Sequence, residues 1–319
     1  MIAFQLDDSP PPTPLTEPVP AWTALLRQAV VLRIVSQRVT APKSRAAYGD
    51  RVHALLRRAA AAATLWDTAV CVWRMEKLSA AFARYATEEP WLRDVALPPE
   101  ARPIAYMGLG IGAVERAGFD PKRVAGLIEA LPEARYRPFA YESVGAMLAL
   151  YEADWFYRTV RAASTLGLAT VTPLTFPDPR CFLSAFSSCH RRLMAHGYGR
   201  VLYFKRRTLR AAMDAAGDGP VEYSSCVQGI AFAYAMVNCS DLPRIARVVD
   251  QMHQTAAAPV RAGLIDALEF CEWFAPGLLQ SHGVRNLPVS LIREARQSSA
   301  ANRANGYLRP FIRLELDGV

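Results

Sequence analysis

The chain has 319 residues, enough for one large domain or two ordinary ones. About half of them (52%) are apolar and 21% are charged, a globular balance that excludes a disordered chain. The 37 basic and 29 acidic residues leave a formal charge of +8, spread too thinly for a dedicated nucleic-acid binder. The longest apolar runs, about a dozen residues, are too short for a membrane span.

The N-terminal stretch "DDSPPPTPLTEPVP" (7–20) carries six prolines, which exclude a helix or a central strand. Residues 1–20 are therefore expected to form a flexible Pro-rich arm. Asp7 and Asp8 stand where a secretory signal would need basic residues, so a soluble, cytoplasmic protein is expected. Six cysteines (71, 181, 189, 226, 239, 271) show no C-x-x-C pairing and no zinc spacing with histidine. They read as reduced thiols, several of them in apolar runs.

From Ala21 onward helical periodicity dominates, and residues 21–319 are expected to form a single all-α domain. Residues 50–86, rich in Ala, Leu and Arg without Gly or Pro, predict one long helix or two. The prolines at 90, 98, 99 and 103 end that pattern. Segment 108–131 then aligns without gaps over 229–252, with Gly108/Gly229, Asp120/Asp241, Arg123/Arg244 and Ala125/Ala246 identical. Each segment predicts a helix rich in small residues, an Asp N-cap with proline in the following turn (Pro121, Pro243), and an amphipathic helix. Gly145 lies 37 residues after Gly108, and Gly263 lies 34 after Gly229. These spacings predict an irregular helical-hairpin, solenoid-like bundle with two pseudo-repeated halves, about 100–170 and 197–285. A glycine inside a helix costs about 1 kcal/mol relative to alanine, and close backbone approach between paired helices would offset it. Near the C-terminus "FIRLEL" (311–316) alternates like a short strand.

No nucleotide, metal or serine-nucleophile signature is present, and no cofactor is expected. "GLGIG" (108–112) lacks the spacing and the βαβ setting of a dinucleotide fingerprint, and reads as close helix packing. Cys189 and His190 are neighbours, but helical neighbours point about 100° apart. "YFKRRTLR" (203–210), with Lys205, Arg206, Arg207 and Arg210, reads as a solvated face at a helix start; the alternative is an RNA or anionic surface.

Glu142 is the leading chemical candidate, because it sits in the first turns of a helix that is apolar on nearly every side. Glu142, Ala146, Ala149 and Ala153 share one face, where close packing would desolvate the carboxyl and raise its pKa. Such a group suits acid–base chemistry; a structural ion pair with Arg135, Arg137 or a distant arginine is the alternative. Tyr141 is its expected catalytic companion. Tyr106, Phe139, Met147, Tyr151, Arg200, Gln228, Tyr234 and Asn238 are expected to line a ligand cavity. Gln228 and Asn238, unusual in so apolar a run, equally suit bridges between helices.

Three stretches, in order, carry a resemblance. "RPFAYESVGAMLALYEA" (137–153) resembles the block GFAYEGA-x-M-x-LALLD; "GYGRVLYF" (197–204) resembles GLGRALWF; "QGIAFAYAMVNCSD" (228–241) resembles SGVGLA-x-AYAGG. These blocks recur in a family of uncharacterised proteins found with enediyne-type polyketide gene clusters in bacteria. The matching positions are Phe139–Glu142 and Met147–Leu150, then Gly199, Arg200 and Phe204, then Gly229, Ala233 and Tyr234. Ser143 departs from the pattern, as does the absence of a His- and Trp-bearing segment between the first two blocks. The resemblance implies a role in natural-product biosynthesis, handling a long apolar or polyene intermediate. The resemblance implies no mechanism; joined to the acid–base reading of Glu142, it makes a metal- and nucleotide-independent cyclase or isomerase the expectation if the chain is an enzyme. The alternative is a non-catalytic helical-repeat scaffold that binds pathway proteins.

Overall fold

The computed structural model describes residues 29, 39–85, 97–152, 154–165, 172–206, 208–239, 242–251, 254–280 and 287–312. The fold is all-α: among these residues there are 13 α-helices and no strand. They are α1 (45–60), α2 (65–85), α3 (102–117), α4 (121–129), α5 (137–151), α6 (155–165), α7 (179–184), α8 (188–206), α9 (209–217), α10 (223–238), α11 (242–251), α12 (254–274) and α13 (289–305). No described helix is long and apolar enough to cross a membrane. The Pro-rich arm and most of "FIRLEL" lie outside the described residues.

Local chemistry sets the helix ends. The Ala-rich run 50–86 divides into α1 and α2 at a Thr64 cap: its hydroxyl accepts from the Asp67 N–H at 3.1 Å and donates to the Asp67 carboxylate at 2.7 Å. Helix α4 starts at Asp120, whose carboxylate accepts from the Arg123 N–H at 3.0 Å, with Pro121 at the first helical position. Gly118 and Phe119 make the turn before it, both at positive φ. The corresponding Asp241 lies outside the described residues.

The long helices pack in chain order, α2 on α3, α3 on α5, α5 on α8, α8 on α10 and α10 on α12. The row bends until α12 touches α1 and α2, and α10 touches α2. The Trp273 indole N–H of α12, donating to the Glu100 carbonyl at 3.1 Å, fastens this closure. Short helices α4, α9 and α11 follow α3, α8 and α10 and pack beside them.

Glycines set the spacing at successive crossings. A Cβ on Gly145 of α5 would stand 1.8 Å from the Met194 carbonyl of α8; one on Gly197 of α8 would stand 1.7 Å from the Glu142 carbonyl. Gly199 and Gly229 play the same part between α8 and α10, and Gly263 between α12 and α10. In "GLGIG", Gly108 and Gly112 face α2, while Gly110 faces Ala140 of α5. Side chains of any size would hold these backbones apart, which is the reason for the mid-helix glycines.

Candidate functional site

The helix row lines a partly open cavity of about 210 Å³. Helix α2 contributes Trp73, Glu76, Lys77, Ala80 and Arg84 to its wall, and α3 contributes Ile111 and Glu115. Opposite stand Met147, Leu150 and Tyr151 of α5, Phe156 and Val160 of α6, Arg200, Val201 and Phe204 of α8, and Phe232, Met236 and Val237 of α10. The wall is mostly apolar, as small-molecule sites are. Its volume exceeds the roughly 150 Å³ of an apolar cavity that holds benzene and falls short of the roughly 300 Å³ of drug-sized sites. It suits a short acyl chain or a single ring, rather than the whole of a long polyene.

At one edge of this cavity is a chain of charge. His196 and Arg200 stand four residues apart on one face of α8, opposite Glu142 at the α5–α8 crossing. A single oxygen, Glu142 Oε1, accepts from His196 Nδ1 at 3.0 Å and from Arg200 Nη1 at 2.8 Å. The second arm of the guanidinium, Nη2, reaches Glu76 Oε1 of α2 at 3.5 Å. The carboxylate can only accept, so His196 carries its proton on Nδ1. Among the described residues His196 Nε2 has no hydrogen-bond partner; it is buried, with the ring stacked on Phe311 and set edge-on to Phe232.

The two carboxyl groups titrate in opposite directions. Burial works to raise the Glu142 pKa, but His196 and Arg200 outweigh it and hold the group below the usual glutamate value. The expectation of a raised Glu142 pKa is thereby corrected. Desolvation is present, with Glu142 only 3% exposed, but two cationic or N–H-bearing partners exceed it. Glu76 is the raised one: burial dominates, Arg200 at the longer distance opposes it only in part, and the charge of Glu142 adds to the rise. Burial also lowers the Lys77 pKa, and Glu115 opposes that shift.

Of the residues expected at a ligand site, Met147, Tyr151 and Arg200 lie on the cavity wall. Glu142 stands behind Arg200 and is absent from the wall. Tyr141 follows the 100° rule that separates helical neighbours. It points away from Arg200, donates to Glu129 at 2.8 Å and stacks on His190. Tyr106 accepts from the Glu133 N–H at 2.9 Å, and burial pushes its pKa up to about 12. Phe139 packs edge-on to Phe311. Gln228 donates to Asp266 and to the Phe311 carbonyl. Asn238 donates to the Tyr203 hydroxyl and the Tyr234 carbonyl, and Tyr234 meets Arg244. These five make contacts elsewhere in the fold and are absent from the wall of this cavity. Arg135 and Arg137, the nearer candidates for an ion pair with Glu142, bind Glu133 and Glu129 instead.

The basic run also differs from expectation. Lys205 and Arg206 end α8 rather than start a helix, and Lys205 is 3% exposed. Its ammonium is clasped by Glu152 at 2.6 Å and Asp154 at 2.9 Å, beside a Tyr198 hydroxyl that donates to Glu152. Arg210 pairs with Asp214 one turn on.

Glu76, Lys77, Arg84 and Glu115 were not singled out from the sequence. A signal was available: Trp73, Glu76, Lys77, Ala80 and Arg84 recur at three- and four-residue intervals along one face of α2. The three resembling blocks fall on α5, α8 and α10, which pack consecutively and supply Glu142, Arg200 and Phe232. No protein-family model, curated protein or solved structure matches the chain.

Proposed function

We propose that the protein acts in natural-product biosynthesis of the polyketide type, enclosing a lipophilic intermediate, or one end of it, in the central cavity. The sequence resemblance alone supports the pathway class. What carries the ligand reading is one observation: an apolar cavity bears a carboxyl group, Glu76, whose pKa burial raises.

The chemistry that suits this arrangement is a proton-transfer isomerisation or cyclisation. In its protonated form, which burial favours, Glu76 gives its proton to a carbonyl oxygen or an alkene carbon of the ligand. The carboxylate that forms is held by Arg200, 3.5 Å away, and takes back a proton from a neighbouring carbon of the ligand. Glu142, which the sequence marked as the acid or base, becomes a positioning residue: it fixes Arg200 and stays ionised. Trp73, Phe204 and Phe232 give the wall the apolar surface on which the ligand's chain would rest.

The alternative, a scaffold for partner proteins, would call for an apolar outer face. The large hydrophobics exposed among the described residues, Trp155, Tyr223 and Val289, stand on three separate helices, α6, α10 and α13. The test is replacement of the gene in a producing strain. Val201→Trp, which fills the cavity, should abolish the product, and Glu76→Gln should reduce it at least tenfold, about 1.4 kcal/mol in barrier. Normal product from both variants overturns the proposal.

A further inference from the structure

Three cations and two carboxylates stand on the cavity wall, and they are not equally occupied. Arg84 lays two nitrogens on the Glu115 carboxylate, one of them at 2.8 Å. Arg200 is held between Glu142 and Glu76. Lys77 differs: it makes no hydrogen bond or ion pair with any described residue, although Glu76 precedes it in sequence and Glu115 is on the same wall. Helical neighbours diverge by about 100°, which keeps Glu76 from serving it, and Glu115 is taken by Arg84. Lys77 is a partly buried residue on the same wall as Trp73, Ala80 and Ile111, and its amine has gained no counter-ion among the described residues.

We propose that the cavity is a site for a lipophilic carboxylic acid, with the Lys77 ammonium as partner of its carboxylate and the apolar wall as the seat of its chain. This rests on the ligand reading above and names the ligand's class. The anion completes the one cation left open, and its tail covers the aromatic and aliphatic wall. The volume limits that tail to a short or medium acyl chain, or to the acid-bearing end of a longer one.

The probes are hexanoate, octanoate and decanoate with the matching alcohols, titrated at neutral pH against the full chain. Binding is read by calorimetry and by tryptophan fluorescence, for which Trp73 on the wall is a local reporter. Each added methylene should tighten binding about fourfold until the cavity is full. Each acid should bind at least tenfold more tightly than its alcohol. Lys77→Met should erase that preference while leaving alcohol binding within about twofold, and Lys77→Arg should keep it. Alcohols that bind with the chain-length series while acids gain nothing would overturn the carboxylate assignment and leave the cavity reading standing. An acid preference that survives Lys77→Met overturns the role of Lys77. Failure of both series, in protein with an unchanged melting transition, overturns cavity and carboxylate together.

Discussion

Replacing Glu142 by glutamine keeps the side chain's shape and removes its charge. In the native protein one oxygen takes hydrogen bonds from His196 and Arg200, at 3.0 and 2.8 Å, in a site 3% exposed. Hydrogen bonds to a charged group contribute about 1.5–3 kcal/mol each, and neutral ones about 0.5–1.5. Two such exchanges cost about 2–3 kcal/mol, and Glu142→Ala, which leaves Arg200 with Glu76, at the longer distance, as its one carboxylate among the described residues, should approach the roughly 3–5 kcal/mol of a broken buried pair. Urea unfolding with the slope held common reads the difference directly. A cycle with Arg200→Met should show a coupling of about 1–3 kcal/mol, because the two side chains act through one contact. A Glu142→Gln protein within about 0.5 kcal/mol of wild type, or one with no coupling to Arg200, would refute the assignment of Glu142 as the anchor of that arginine.

The opposed shifts of Glu76 and Glu142 give the stability profile two arms. Glu76, raised in the folded state, contributes stability that is full below the ordinary glutamate pKa of 4.5 and is lost as pH rises through its higher folded value. Glu142, lowered in the folded state, contributes stability present above 4.5 and lost as pH falls through its lower folded value. Melting temperatures across pH should therefore show Glu76→Gln gaining on wild type toward alkaline pH and Glu142→Gln flattening the acid arm; curves parallel to wild type would contradict both. Gly197→Ala, whose methyl would stand 1.7 Å from a backbone oxygen, should cost at least about 3 kcal/mol, whereas Gly126→Ala, with open space around its Cβ, should gain about 0.5–1 kcal/mol. Lys205→Met should cost about 1–3 kcal/mol, since its two carboxylates are partly exposed, and should speed amide exchange in α6, whose N-cap is Asp154.

Helical periodicity and the mid-helix glycines carried the helical architecture. An apolar stripe of period 3.6 fits no strand, and a glycine inside a helix loses stability unless another backbone comes close to it. The Thr64–Asp67 cap was harder to see, since a Thr-x-x-Asp pattern inside an Ala-rich run competes with strong helix propensity on both sides. Glu142 and Arg200 were visible as charges on otherwise apolar or resembling helices. Glu76 and Lys77 were not, because "WRMEKL" reads as an ordinary solvent-facing segment until α3 is known to lie against it. The direction of Tyr141 was decided by helix geometry, and the partners of Gln228 and Asn238 by contacts across 38 and 35 residues that no local pattern contains.

The glycine crossings also divide the cavity wall into two kinds of surface. Where α5, α8 and α10 meet backbone to backbone, the spacing is set by glycines that admit no side chain without spreading the helices, so that while they are kept that half of the wall is a fixed template. Helix α6, which reaches the cavity only through Phe156 and Val160 and packs lightly on α5, is under no such constraint. A related chain that handled a longer or bulkier molecule could keep its α5, α8 and α10 glycines and change at positions 156 and 160, because there a larger pocket costs two side chains and leaves the scaffold unaltered.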